Sequence, residues 1–324
     1  MHHSILYIAG YGRSGSTVLE RMLSAHRELE GLGEVEYMTR SPDIHTSVCG
    51  CGRPLRECPV WGPVLASLDA EFDFAAVRRT QNSADSWRPG ASTTLRQSTD
   101  QAIELPPLYR LFLSHLFEQL SEVVSPQVRY LIDSSKTARE NFLRPFSLQA
   151  AGARVKMIHL VRDGRGCMWS YMSKGSNRRI ENDLDPKVPA AALRASLSWN
   201  LANRAAELFG RKNPSRYLRL RYEDLVAAPE ASLRRLEEFL DVDLSEERRR
   251  LHEGETFPPV HQVAGNRLRH EAVLRLTPDT AWQTQLPSHA RALFWAVNWA
   301  RSVRYGYRFR PAAGNQTTTQ KGRE

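Results

Sequence analysis

The stretch from Ile5 to Leu23 constrains the fold more than any other part of the chain. An apolar run, Ile5-Leu6-Tyr7-Ile8-Ala9, reads as a strand. It passes through Gly10-Tyr11-Gly12-Arg13-Ser14-Gly15 into Ser16-Thr17-Val18-Leu19-Glu20-Arg21-Met22-Leu23, which reads as a helix. Glycines let such a turn curl until successive backbone N–H groups point inward, and the helix N-terminus adds positive potential. The turn is therefore a cradle for phosphate, to which Ser16 and Thr17 can add hydroxyl donors. Its spacing follows the nucleotide-triphosphate loop G-x-x-x-x-G-K-[ST] with one departure. Ser16 stands where that loop carries lysine, and Arg13 supplies the cation instead. Loss of that lysine argues against an ordinary ATPase or kinase.

Three further short apolar runs, Arg129–Ile132, Val155–Val161 and Tyr217–Leu220, are each followed by a polar loop and a helical pattern. Strands alternating with helices predict an α/β fold, a P-loop-like three-layer sandwich with a mostly parallel central sheet and helices on both faces. Ligands of such sheets sit at the carboxyl ends of the strands. Those ends read Gly10–Ser16, Asp133–Lys136, Arg162–Gly166 and Arg221–Asp224. Long helices are expected at Leu108–Val124, Ala190–Phe209, Glu230–Leu240 (started by Pro229) and Ser288–Val303, with Ser288 as N-cap. Residues 1–310 are expected to form a single domain with an inserted loop or lid at about 76–103, and residues 311–324 a disordered polar tail. A second polar insertion spans Asn177–Pro189.

The chain has 324 residues, 45 Lys+Arg and 36 Asp+Glu, a net charge of +9 that implies anionic partners. No nucleic-acid module accompanies the charge, so nucleic acid is not an expected partner. No apolar run approaches the ~18 residues that span a bilayer. The start lacks the apolar core and cleavage site of a signal peptide. A soluble, cytoplasmic protein with no transmembrane segment is the expectation.

Arg13-Ser14-Gly15-Ser16-Thr17-Val18-Leu19, with Met22-Leu23-Ser24-Ala25-His26 after it, resembles the 5′-phosphosulfate loop of carbohydrate and tyrosylprotein sulfotransferases. The resemblance extends to bacterial members of the sulfotransferase superfamily, which use 3′-phosphoadenosine 5′-phosphosulfate (PAPS). It implies that Arg13, Ser14, Gly15, Ser16 and Thr17 contact the co-substrate. Arg162 at the end of one strand, with Ser170 eight positions on, can grip one phosphate together. The pair resembles the superfamily's 3′-phosphate signature, and two phosphate grips suit a 3′,5′-bisphosphorylated nucleotide. The resemblance also implies a general base in Glu30-Gly31-Leu32-Gly33-Glu34-Val35-Glu36. Glu34 is the candidate and Glu36 the alternative; if both share a pocket, mutual repulsion raises one pKa. Asp133-Ser134-Ser135-Lys136 resembles a bacterial segment, which gives Lys136 a role in stabilising the transition state. Arg219–Leu225 resembles an R-Y-E-D-L segment that places Tyr222 beside the nucleotide, and His261–Arg269 resembles a late loop in which Arg267 faces the 3′-phosphate.

The implied enzyme is a PAPS-dependent sulfotransferase acting on a hydroxyl of a glycan, glycolipid or small metabolite. Arg13, Glu34 and Lys136 are its catalytic candidates. A sulfuryl group carries less negative charge than a phosphoryl group, so arginine, lysine and a helix N-terminus can replace the metal ions of a kinase, and no metal is expected. Two rivals remain: a P-loop small-molecule kinase, which predicts magnesium-dependent ATP binding, and a non-catalytic bisphosphoadenosine-binding protein. His159, within a strand, reads as a satisfied core histidine. Cys49, Cys51 and Cys58 read as free structural thiols. Their alternative is a zinc site completed by His45, against which the C-x-C spacing speaks. Trp282, Trp295 and Trp299 read as packing residues, the last two on one buried helical face.

Overall fold

The computed structural model describes residues 3–88, 103–173, 189–271, 276 and 278–309. In chain order the elements are β1 (Ser4–Ala9), α1 (Ser16–Leu23), β2 (Leu29–Gly33), α2 (Tyr37–Arg40), α3 (Trp61–Glu71), α4 (Phe74–Asp85), α5 (Pro107–Val123), β3 (Tyr130–Asp133), α6 (Arg144–Ala150) and β4 (Val155–Val161). They continue with α7 (Gly164–Ser173), α8 (Pro189–Lys212), β5 (Tyr217–Arg221), α9 (Tyr222–Ala227), α10 (Pro229–Leu240), α11 (Ser245–Glu253), α12 (Trp282–Gln285) and α13 (Ser288–Arg304). Two compact units result, Met1–Arg162 with Leu197–Asp279, and Asp163–Ser196 with Thr280–Glu324.

The first unit holds the whole sheet, five parallel strands in the order β2-β3-β1-β4-β5. Because side chains alternate across a strand, the two faces can be read residue by residue. Ile5, Tyr7 and Ala9 join Leu131, Val155 and Met157 under Phe112, Leu116 and Phe117 of α5 and Phe209 of α8. Leu6 and Ile8 join Ile132, Ile158 and Leu160 under Val18, Leu19 and Met22 of α1 and Leu233 and Leu236 of α10. Each buried aliphatic side chain contributes roughly 1.5–3 kcal/mol. Either layer thus outweighs any one loop hydrogen bond, and the layers dictate where the loops lie. The three-layer α/β architecture expected from sequence is present.

β2 is the strand that the apolar pattern does not reveal, since two of its five residues are glycine. Packing explains both. A Cβ on Gly31 would strike the Ser24 hydroxyl, and one on Gly33 (φ 81°) would lie 2.5 Å from the Ala264 carbonyl. Close approach overrides β propensity here. Within the stretch read as an insertion, residues up to Asp85 are helical and bury Val77, Gln81 and Ala84. Residues 89–102, 174–188 and 310–324 lie outside the described residues, and with them most of the inserted segments and the tail. Among the described residues no helix is long and apolar enough to cross a membrane.

In the second unit Arg165 is buried. It donates to the Asp163 carboxylate (Nη2–Oδ2 2.7 Å) and to the carbonyls of Arg308 and Phe309, with its guanidinium over the rings of Trp282 and Trp295. Ser288 is the first residue of α13, and Pro287 takes the N-cap position. The buried face of α13 carries Ala290, Phe294, Asn298 and Ser302. Trp299 is 59% exposed, so the expectation that it packs in the core fails. Its four-residue spacing from Trp295 marks a shared face, but the core-facing stripe is the one through Phe294.

Glu20 of α1 is fully buried and accepts from the Gly33 N–H (Oε1–N 2.6 Å), joining the helix to the end of β2. Burial lifts its pKa from 4.5 to about 7. An acid whose folded pKa is raised stabilises the fold fully below its unfolded pKa, and that contribution is lost as pH rises through 4.5 to about 7. The shift corresponds to roughly 3 kcal/mol. Glu20→Gln cannot ionise, so in urea unfolding the variant gains on the wild type by roughly that amount between pH 4.5 and 8. A gap that stays constant with pH would show that Glu20 does not titrate in this window.

Candidate active site

Chain order reverses around β1, so the crevice at its carboxyl end is where a sheet of this topology binds its ligand. The Gly10–Gly15 turn lies there. Gly10 (φ 135°) lets the backbone pass against the Leu160 carbonyl of β4, where a Cβ would collide. Gly15 (φ 93°) is the left-handed N-cap of α1, and its carbonyl accepts from Val18 N and Leu19 N. A Cβ on Gly15 would also lie 2.5 Å from the Tyr222 ring. Ser16 and Thr17 open the helix, both buried, and Ser14 donates its hydroxyl to the Tyr11 carbonyl at 2.7 Å.

The segment after β3 is tied directly to this turn. Thr137 N donates to the Gly10 carbonyl (3.2 Å), and Gly10 N donates to Thr137 Oγ1 (3.1 Å), which donates in turn to the Ala202 carbonyl. Sequence reading missed Thr137; its place directly after Lys136 was the available signal. Arg13 (φ 68°) and Lys136 (φ 65°) are two of the three non-glycine residues with left-handed backbone among the described residues. Such a conformation costs of order 1–3 kcal/mol and persists only where surroundings enforce it. At Lys136 the enforcing contacts are the Thr137 bonds and the Tyr7 hydroxyl, which donates to the Lys136 carbonyl.

Lys136 Nζ reaches Glu34 Oε1 at 2.5 Å, both side chains largely buried. Glu34 follows the bulged end of β2, and its N–H donates to the Ala264 carbonyl. Glu36 is engaged elsewhere. Its carboxylate pairs with Arg40 (3.1 Å) and Arg78 (3.4 Å), and its N–H donates to Ser135 Oγ. Burial is the main cause that raises the Glu36 pKa, opposed by Arg40; the charge of Glu34 acts in the same direction as burial but with less effect. The mutual repulsion expected from sequence is present as a secondary influence.

Arg162, the residue directly after β4, donates Nη1 to the Arg13 carbonyl at 2.7 Å and Nη2 to Asp279 Oδ2 at 2.8 Å. Its guanidinium lies 4.6 Å from the centre of the Tyr222 ring. The arginines at 13 and 162 and the tyrosine at 222 therefore share one corner of the crevice. Asp279 had no sequence signal, being 117 positions from its partner. Ser170 lies buried on α7 in the second unit. Arg267 begins a short 3-10 turn whose N-cap, Asn266, places its N–H 3.4 Å from Thr17 Oγ1. That brings the backbone of the late loop to the first turn of α1. His159 is enclosed between the Tyr217 hydroxyl (2.6 Å) and Asn203 Oδ1 (2.8 Å), as a satisfied core histidine would be.

A glycine turn at the switch point, with Lys136 and Arg162 following the two neighbouring strands, is an arrangement of an α/β protein that suits an anionic ligand. The profile of the Sulfotransferase family matches residues 6–246, and the chain belongs to that family. Among solved structures it is similar to the sulfotransferase domain from the curacin biosynthetic pathway (18% identity, 94% of this chain and 98% of that chain, TM-score 0.48). It is also similar to the sulfotransferase domain of the Synechococcus PCC 7002 olefin synthase (22% identity, 90% and 93% covered, TM-score 0.45). A third is retinol dehydratase, solved in complex with androsterone and the inactive cofactor PAP (12% identity, 92% and 80% covered, TM-score 0.40). No curated protein sequence matches.

Proposed function

We propose that the protein transfers the sulfuryl group of PAPS to an acceptor hydroxyl of a glycan, glycolipid or small metabolite. The observation that carries this reading is the meeting of Lys136 Nζ and Glu34 Oε1 at 2.5 Å, on a segment bonded in both directions to the glycine turn. One anion cradle, one cation and one carboxylate are the parts that in-line sulfuryl transfer requires.

In this mechanism Glu34, ion-paired with Lys136, accepts the proton of the acceptor hydroxyl as its oxygen attacks sulfur. The bond from sulfur to the 5′-phosphate oxygen breaks, and the electron pair leaves with 3′,5′-bisphosphoadenosine. Lys136, Arg13 and the amides of the Gly10–Ser16 turn stabilise the charge on the leaving oxygen, with Ser14, Gly15, Ser16 and Thr17 around the 5′ end. Arg162 receives the 3′-phosphate, with Tyr222 and Arg267 as its further contacts. Asp279 now holds the guanidinium of Arg162, so a phosphate arriving there replaces one anionic partner with another.

Thermal-shift titration in magnesium-free buffer compares bisphosphoadenosine with ATP. Ligand at 100 times its Kd stabilises the fold by about 2.7 kcal/mol. Bisphosphoadenosine is expected to raise Tm accordingly and ATP to leave it unchanged. A larger shift with ATP, dependent on added magnesium, would overturn the assignment in favour of a kinase.

A further inference from the structure

Three cysteines outside the phosphate crevice converge on one histidine. Cys49, Cys51 and Cys58 bring their Sγ atoms, with a ring nitrogen of His261, within 4.8 Å of one another. All three thiols are free. His45, the fourth ligand that sequence proximity suggests, is instead 3.5 Å from Asp69 and stacked on Phe74. His261 comes from 203 positions beyond Cys58, with Nδ1 at 3.2 Å from its sulfur.

The backbone around the four groups is a preformed knuckle. Cys49 N donates to the Arg53 carbonyl (2.8 Å) and Gly52 N to the Cys49 carbonyl (2.9 Å), with Gly52 at φ 87°. The Trp61 N–H points at Cys58 Sγ (3.4 Å), and the Trp61 indole donates to the His261 carbonyl. Gly50 N donates to the Gln262 carbonyl (2.9 Å), and a Cβ on Gly50 would lie 2.5 Å from the Val260 carbonyl. The two loops therefore approach closely for a reason beyond apolar packing. Cys49 and Cys58 are wholly buried, while Cys51 and His261 are partly so.

We infer that Cys49, Cys51, Cys58 and His261 form a structural zinc site. Thiolates with one imidazole are a donor set that selects zinc, and four protein ligands leave no open position, as in closed structural sites. With Zn–S near 2.3 Å and Zn–N near 2.0 Å, tetrahedral ligands lie about 3.7 Å apart. The widest present separation needs to shrink by about 1 Å, and the Cys58–His261 pair, at 3.2 Å, needs to open by a few tenths of an ångström. Binding releases the thiol protons to solvent and leaves the imidazole neutral. The site is separate from the chemistry, whose metal-free reading is unaffected. Its consequence is mechanical: the chain after His261 donates Val263 N to the Leu32 carbonyl, accepts from Glu34 N at Ala264, and continues to Asn266 beside Thr17. Zinc fastens that loop to the 49–58 knuckle.

The test uses the tag-free chain, purified under reducing conditions without chelator, with metal measured by mass spectrometry. About one zinc per chain is expected, falling to under about a tenth in Cys58→Ser and His261→Ala and returning in His261→Cys. Cys58 is buried, so its variant tests folding as well as binding. Cobalt(II) titrated into the metal-free wild-type chain separates the two, and intense tetrahedral bands with thiolate charge transfer are expected. Chain that remains zinc-free after incubation with equimolar zinc, a disulfide among the three cysteines, weak octahedral cobalt bands, or zinc retained in both variants would each overturn the site. None of these readouts depends on sulfuryl transfer.

Discussion

Glu34→Gln is expected to lower kcat by about 10²–10⁴-fold while leaving the affinity for bisphosphoadenosine unchanged. Glutamine keeps the volume and an oxygen acceptor for Lys136, so the 2.5 Å contact weakens from an ion pair to an ammonium–amide hydrogen bond without emptying the site. What is lost is the capacity to take a proton. Glu36→Gln is the informative control. That carboxylate is 3% exposed and already neutralises Arg40 and Arg78, so its amide should reduce stability and leave the chemical step intact. Single-turnover rates and nucleotide titrations on both variants check the pair. Unchanged turnover in Glu34→Gln, or loss confined to Glu36→Gln, would remove Glu34 from the reaction.

The contrast between these neighbouring glutamates marks where sequence stops being informative. Strands β1, β3, β4 and β5 were legible because continuous apolar runs bounded by turns have few other uses in a chain of this length. β2 was not, because Gly31 and Gly33 were set by the approach of Ser24 and Ala264, which local pattern cannot register. The phosphate turn was legible for the opposite reason: its geometry is local and needs glycine at fixed offsets. Glu34 and Lys136 could be nominated by resemblance, but their contact spans 102 positions. It depends on Thr137 bonding Gly10 and on the bulge that re-aims the end of β2. In sequence, His261 opens the late-loop segment and His45 lies four positions before Cys49. Only the fold distinguishes them, because ligand convergence is a property of loops brought together by the sheet. The Trp295–Trp299 spacing likewise fixed a face without fixing which face is buried.

The buried polar cluster beneath the Asp133–Lys136 turn carries the second large expectation. Arg144, 2% exposed, donates Nε and Nη2 to Asp133 Oδ2 at 3.2 and 3.0 Å, donates Nη1 to the Tyr109 hydroxyl at 3.0 Å, and pairs with Asp85 at 3.6 Å. Tyr109 donates to Asp85 at 2.6 Å, and both carboxylates are fully buried. Asp133 Oδ1 accepts from Ser135 N at 2.9 Å, so the guanidinium fixes the turn that presents Lys136. Removing one partner of a buried ion cluster leaves uncompensated charge, at a cost of about 3–5 kcal/mol. Arg144→Ala should therefore lose about that much in urea unfolding at pH 7. Arg144→Met separates charge from volume: it refills most of the space, yet it should be nearly as unstable, because Asp85 and Asp133 still lack a cation. Burial raises the pKa of Asp85 even beside Arg144. Without the arginine its carboxyl protonates more readily still, so acidification towards pH 5 should narrow the gap between either variant and the wild type. If Met restored wild-type stability at pH 7, packing rather than charge would hold the turn, and Lys136 would need another explanation for its left-handed backbone.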